Sequence, residues 1–217
     1  MEFTDLANLI QTRRSIRRWQ EKTVPEDVLI KAIELATWAP NGGNNQTWRF
    51  YVIENRNTIN AIADAVEASA KVMAVWPEAA KFGDEPARWA KGAGNFRSAP
   101  AAIAITAAKY QSLADKLLEA RLTKDPQANQ YREWRNSADS RVQSVASAIA
   151  YLLLILHQMG LGATWMTGPL QAKGDIEKIL KIPSTTDLVA FIPLGYPAES
   201  PTGKGRKPVK EVVEIVK

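Results

Sequence analysis

Residues 145–156 read VASAIAYLLLIL, twelve positions without a charged side chain. Extending the pattern to Ser137 upstream and Met159 downstream predicts one long helix over 137–159, apolar nearly all round from Val145 onward. Such a helix must be covered on every side, by the rest of its own chain or by a second copy. It falls short of the roughly 20 apolar residues that a membrane span requires, and His157 and Gln158 close it. The rest of the fold has to be built as layers around it.

The remaining pattern supplies those layers. A first helix is predicted from Thr4-Asp5, with Leu6, Leu9 and Ile10 on one face, delivering the run TRRSIRR (residues 12–18) at its C-terminal end. A second opens at VPED, with Pro25 in its first turn and Glu26 and Asp27 at its positive end. Val28, Leu29, Ala32, Ile33 and Ala36 form its apolar side, and it stops at Ala39-Pro40. Strands are predicted at 48–54, 101–106, 163–166 and 187–194, and helices at 56–72 and 175–180, with two more helical stretches ahead of Ser137. Residues 76–97 hold two prolines, two tryptophans and three glycines and read as an irregular insertion or lid. Neither a repeat nor a linker interrupts the chain, so residues 1–217 are expected to form a single α+β domain.

Composition narrows the chemistry. The chain has no cysteine and one histidine, which removes disulfides, thiolate metal sites and cysteine nucleophiles, and no metal site is expected. A hydrolytic triad would have to use His157, which lies among leucines and suits a helix-end role. The chemistry is therefore expected to reside in something the protein binds. Two glycine-containing stretches are decoys: Gly92-Ala93-Gly94 lacks a third glycine and a preceding strand, and Gly203-Lys204-Gly205 lacks P-loop spacing. The opening MEFTDLANLI lacks the basic-then-apolar order of a signal peptide, and a cytoplasmic protein with no membrane association is expected. A net charge of +5 and a pI near 9.4 suit anionic ligands.

Three segments carry the candidate chemistry. Arg13-Arg14-Ser15 with Arg17 offers guanidinium groups that match phosphate geometry, and the competing reading is a solvated helix end. Residues 39–48, APNGGNNQTW, join a helix to a strand. Their amides both donate and accept, which suits the edge of a flat heterocycle; the competing reading is a polar turn. Gly195-Tyr196-Pro197 followed by Lys204-Gly205-Arg206-Lys207-Pro208 is a second basic cluster, or else an exposed tail. Nucleic-acid binding is not expected, because neither basic cluster has interleaved stacking aromatics.

Taken in order, Arg-Arg-Ser-x-Arg, AP-x-GGN-x-Q-x-W-RF, GLGATWMTGP and PLGYP followed by Lys-x-Arg-Lys-Pro resemble the nitroreductase family of flavoproteins, from Thr12 to about Val213, with residues 55–135 poorly covered. The resemblance implies a nitroreductase-like α+β fold: a central, mostly antiparallel sheet flanked by helices in an intertwined homodimer, with FMN at the subunit interface. It implies that Arg13 and Arg206 hold the FMN phosphate with Lys204 nearby. Arg14 and Ser15 would touch phosphate, ribityl or ring edge, and Arg17 would sit by the flavin pyrimidine, where a cation stabilises reduced flavin. Pro40, Asn41, Gly42 and Asn44 match the loop that reaches the flavin from the partner subunit, with Gln46 as support or a ribityl contact. Met166, Thr167 and Gly168 match the segment that offers a backbone N–H to flavin N5. The sequence departs from the family at Thr167, where an acidic residue is common, and at Thr47, where proline is usual before the tryptophan.

The resemblance also implies FMN-dependent NAD(P)H oxidation with ping-pong hydride transfer to a planar acceptor such as a nitroarene or quinone. A specialised reductive dehalogenase, a flavin-modifying enzyme and a non-catalytic FMN carrier or sensor remain open alternatives. Trp76, Trp89 and Trp134 are candidates for a substrate-selecting lid, or for packing around an irregular loop.

Overall fold

The computed structural model describes residues 2–217. In chain order the elements are α1 (Phe3–Thr12), α2 (Glu26–Ala36), β1 (Trp48–Ile53), α3 (Arg56–Ala74), α4 (Glu85–Gly92), β2 (Ala101–Ala108), α5 (Leu113–Arg121), α6 (Pro126–Ser137), α7 (Ser140–Gln158), β3 (Gly162–Ala163), α8 (Lys173–Ile179) and β4 (Thr186–Gly195). The four strands form one antiparallel sheet in the order β1-β2-β4-β3. The architecture is thus α+β, as expected.

The sheet is covered on both faces, and strand alternation divides its side chains between two cores. Ile103, Ile105, Ala190, Ile192 and Leu194 face α2 and α7, where Leu29, Ile149, Leu152 and Leu156 close the layer. Ala102, Ala104 and Phe191 face α3 and α8, where Ile59, Ile62, Val66 and Ile176 do the same. Burial on two faces explains why β2 reads as an unbroken apolar run. Ile149, Leu152 and Leu156 are each at most 1% exposed, and burying such a side chain contributes about 1.5–3 kcal/mol.

Several boundaries differ from expectation for identifiable reasons. The helix predicted over 137–159 is α7, which starts three residues later: α6 ends at Ser137, and Asp139 caps α7 by accepting from the Arg141 N–H. The outward face of α7 is open in one chain, with Ala150 and Tyr151 exposed and Leu153 and Leu154 half-buried. α2 ends at Ala36, three residues before Ala39, because the Thr37 hydroxyl turns back to the Glu34 carbonyl. Pro25 occupies the cap position rather than the first turn. The strand predicted at 163–166 is only partly regular: β3 stops at Ala163, the Thr164 N–H still donates to the Pro193 carbonyl at 3.2 Å, and Met166 bridges separately to Phe191. Residues 76–97 are ordered, comprising α4 between two 3-10 turns, and they lie against α3; Phe96 is buried in the α3-side core, 4.9 Å from the Phe191 ring.

Candidate functional site

The arginine run is no part of a helix. α1 ends at Thr12, and Arg13 turns the chain into an extended strap. Ser15 bridges in parallel to Ala163, the Ile16 N–H donates to the Ala163 carbonyl at 3.1 Å, and the buried Thr164 hydroxyl donates to the Ile16 carbonyl. Further along, Trp19 Nε1 donates to the Gly162 carbonyl at 2.8 Å, and the Gln20 N–H to the Tyr196 carbonyl at 2.9 Å. The carboxylate of Glu199 accepts the backbone N–H groups of both Arg17 and Arg18. Ile16 and Trp19 point inward, whereas Arg17 and Arg18 point out. The strap lies so close to β3 that a Cβ on Gly162 would sit 2.6 Å from Ile16 Cγ1. The arginines are displayed along a strap fixed to the sheet, and the helix-end reading holds at Arg14 alone, whose guanidinium donates to the Gln11 carbonyl in the last turn of α1 at 2.6 Å.

The tail returns to the same place. Arg14 lies flat against Gly203, where a Cβ would come within 2.2 Å of its guanidinium. A cavity of about 460 Å³ is lined here by Thr12, Arg14, His157, Gly162, Thr202 and Gly203, among others. The Arg13 guanidinium is pushed below the usual arginine pKa by burial and by the charges of Arg14 and Arg206. Burial and the charges of Arg13 and Arg14 likewise lower the pKa of His157. Among the described residues, Arg13, Arg14, Arg17, Lys204 and Arg206 make no ion pair with a carboxylate. A second guanidinium cluster shows the opposite condition. The cavity of about 280 Å³ at Arg132, Arg135 and Arg141 is charge-compensated, because those groups pair with Asp115, Glu119, Asp139 and Asp187. Like charges held together without a counterion are suited to an incoming anion.

The loop 40–46 sits elsewhere on the same chain. Ser147 Oγ donates to the Pro40 carbonyl at 2.6 Å, and the Gly42 N–H donates to Ser144 Oγ at 3.2 Å, which ties the loop to the first half of α7. Ser144 and Ser147 precede His157 by 10 to 13 residues, so the loop and the arginine cluster are about 15–20 Å apart along the helix. Asn41 and Asn45 spend their amides on bracing: Asn41 Oδ1 accepts the Gln46 N–H at 2.9 Å, and Asn45 Nδ2 donates to the Gly42 carbonyl at 2.7 Å. Gly43, Asn44 and Gln46 all have positive φ (60°, 52° and 45°), a left-handed cluster that the bracing holds in place. The loop is therefore a pre-shaped protrusion, with Asn44 and Gln46 exposed.

A third patch lies at the start of the 3-10 turn Gly168–Ala172. Met166 is fixed to Phe191 by hydrogen bonds of 2.9 and 3.1 Å, whereas the N–H groups of the exposed Thr167 and Gly168 have no partner among the described residues. Within one chain, then, the structure brings together Arg13, Arg14, Arg206 and their strap neighbours Ser15 and Arg17. Lys204 is an exposed neighbour of Arg206, whose guanidinium donates to the Lys204 carbonyl at 3.1 Å. The loop bearing Pro40, Asn41, Gly42, Asn44 and Gln46 stays apart. Of the three lid candidates, Trp76 and Trp89 are exposed on the α3–α4 side, and Trp134 stands beside Tyr131 on α6. Sequence reasoning missed Thr164, Gly162 and Glu199, which position the strap from 143 to 182 residues away (Gly162 by accepting from the indole of Trp19), and gave His157 no part in the site.

Residues 10–196 match the Nitroreductase family, and the chain belongs to it. It is 27% identical to an NADH dehydrogenase of Thermus thermophilus, over 93% of this chain and 91% of that one. Among solved structures it resembles a BluB-like flavoprotein from Clostridium difficile 630, with a TM-score of 0.85, 26% identity and complete coverage of both chains. It also resembles an iodotyrosine deiodinase bound to FMN and 3-iodo-L-tyrosine, with a TM-score of 0.69 and 26% identity over 98% of this chain and 97% of the other.

Proposed function

We propose that the protein is an FMN-dependent oxidoreductase that takes electrons from NADH or NADPH and passes them in pairs to planar acceptors such as nitroarenes or quinones, and that it works as a homodimer. The observation that carries this reading is the convergence of Arg13, Arg14 and Arg206, from opposite ends of the sequence, on one partly buried site without a carboxylate partner. The donor set fits a phosphate dianion: guanidinium groups recognise phosphate oxygens in pairs. Family membership and the flavoprotein relatives favour FMN as the owner of that phosphate.

FMN, when bound, would supply reversible hydride chemistry that the protein's own side chains lack. Arg13 and Arg206, with Lys204, would hold the phosphate, and Arg14 and Ser15 would flank it. Arg17, exposed and unpaired, would keep a fixed positive charge at the pyrimidine edge, where it favours negative charge. The unpartnered N–H groups of Thr167 and Gly168, next to the anchored Met166, would act as donors toward N5. Their positions are set by backbone, so threonine in place of an acid leaves the donors unchanged.

The homodimer follows from what one chain leaves uncovered. Residues 200–217 are exposed throughout, although they include Val209, Val212, Val213, Ile215 and Val216, the last at 90% exposure. Trp38, beside the loop 40–46, is 80% exposed, and α7 has an open apolar side. A second copy would cover these surfaces and bring its own Pro40, Asn41, Gly42, Asn44 and Gln46 to the flavin. That arrangement reconciles the 15–20 Å separation with a single composite site.

The test is the visible spectrum of the purified protein, recorded anaerobically before and after NADPH and NADH, together with sedimentation. The expected result is a dimer with oxidised flavin bands that bleach with a nicotinamide. A colourless protein that cannot be reconstituted with FMN would overturn the reading. Bands that never bleach would favour the carrier. Reoxidation by a quinone, a nitroarene or 3-iodo-L-tyrosine would then identify the acceptor class.

A further inference from the structure

His157 is the one histidine of the chain, and no chemistry has been assigned to it. It lies in the last turn of α7, lines the 460 Å³ cavity with Arg14, and stands 3.0 Å from Thr12 Oγ1 through Nε2. The Thr12 hydroxyl has one proton, and it is committed to the Asn8 carbonyl at 2.7 Å. Thr12 must therefore accept from Nε2–H. This fixes the neutral tautomer and leaves Nδ1 without a protein partner among the described residues.

We propose that His157 is a further ligand of the anion held by Arg13 and Arg206, and that it takes up a proton when the flavin phosphate binds. The inference rests on the FMN reading above. The groups facing the imidazole are Thr12 at the end of α1, Arg13 and Arg14 on the strap, and, across the cavity, the tail from Glu199 to Gly203; Arg206, further along that tail, acts on Arg13. Glu199 is already engaged by two backbone N–H groups of the strap.

Without an anion, burial and the arginine charges disfavour the imidazolium. A phosphate dianion, of charge about −1.5 to −2 at neutral pH, offsets most of that repulsion. The carbonyl end of α7 favours a cation in the same position. Protonation turns Nδ1 into a second donor while Nε2–H stays on Thr12, so the ring needs no reorientation.

The sign of the linkage follows. Because the pKa of His157 is raised in the bound state, the extra affinity is complete below the pKa of the free state and disappears as pH rises through that of the bound state. Between the two, FMN affinity falls by up to about tenfold per pH unit.

A single histidine gives one set of imidazole resonances, so the test is direct. In tag-free full-length protein labelled with 15N-histidine, the imidazole is titrated with FMN bound and again with riboflavin, which lacks the phosphate. The expected result is a pKa higher by about one unit or more with FMN. Equal values with the two flavins would overturn the proposal while leaving FMN binding intact. Failure to bind FMN at all would overturn both readings. As a second measurement, FMN release from wild type should accelerate as pH rises through the titration of His157 in the FMN complex. Release from His157→Gln should be flat over that range, and a parallel pH dependence in the two proteins would likewise refute the role.

Discussion

Thr164→Val tests the strap that displays the arginines. Thr164 is 3% exposed, and its hydroxyl donates to the Ile16 carbonyl, in a residue that is itself 7% exposed. Valine matches threonine in shape but cannot donate, so the substitution leaves a buried carbonyl without its partner. That costs about 1–3 kcal/mol. For a chain of this size each kcal/mol lowers Tm by about 2–4 °C, so a fall of roughly 2–12 °C is expected in thermal unfolding followed by circular dichroism. Thr164→Ser supplies the comparison: it keeps the donor and loses one methyl group, worth about 0.8 kcal/mol. The hydrogen bond is the larger contribution, so valine should be the less stable of the two despite filling the space better. Valine should also weaken FMN retention, because Ile16 stands between Arg13 and Arg14, proposed above to face the phosphate, and Arg17, proposed to face the ring. A valine variant as stable as the serine variant, with unchanged FMN affinity, would refute the claim that this contact positions the strap.

Three further outcomes follow from the same geometry. Arg206→Gln should raise the Kd of FMN by about 10- to 100-fold, the equivalent of one charge-assisted hydrogen bond, while riboflavin binding, measured by fluorescence quenching, stays within about twofold. Arg17→Gln should lower the two-electron potential of bound FMN by tens of millivolts, on the scale of about 30 mV per 1.4 kcal/mol, in an equilibrium titration against a reference dye; an unchanged potential in flavin-loaded protein would remove the role. The third concerns Asp187. Burial would raise its pKa, but hydrogen bonds from Lys173 and Arg141 hold it below the usual carboxylate value. Its stabilisation is therefore complete above a pH of about 4 and is lost as pH falls through the depressed value. In urea melts, Asp187→Asn should be about 1 kcal/mol less stable than wild type at pH 7 and should converge with it in acid.

The parts of the fold legible in the sequence are those whose burial is symmetrical. β2 is covered on both faces, so AAIAIT could be recognised without knowing its neighbours. The helical character of VASAIAYLLLIL was equally evident from its uninterrupted apolar run, although only its inner face is buried in one chain. Boundaries that depend on one side chain were hidden. The break between α6 and α7 turns on Asp139 capping its own helix, and neither proline nor glycine marks it. β3 is two residues long because regular pairing with β4 lapses at the exposed Trp165, between the Thr164 and Met166 N–H groups that both donate to β4 carbonyls, and no local propensity marks that lapse. The apolar circumference of α7 called for cover on every side; one chain supplies it on the inner face and leaves the outer face open, and periodicity cannot separate the two.

The candidate site divides along the same line. Four arginines in TRRSIRR announce an anion, because charge concentrated in so short a run is visible without a fold. What converts them from a solvated run into an aimed set is not local. Glu199, Thr164 and Gly162 act on the strap across 143 to 182 residues, each through backbone groups, and no spacing rule links a backbone carbonyl to a distant hydroxyl. The loop 40–46 is the converse case. Its amides looked like ligands because amides are versatile, and the structure shows Asn41 and Asn45 consumed within the loop itself. The two halves should therefore respond differently to substitution. Changes remote in sequence, at Thr164 or Glu199, should disturb the arginine set. Changes at Asn41 should relax the left-handed turn at Gly43–Gln46 and leave the arginines where they are. A substitution of Asn41 that lowered the affinity for inorganic phosphate as much as Arg206→Gln would show that the loop and the cluster are coupled, contrary to their separation along α7.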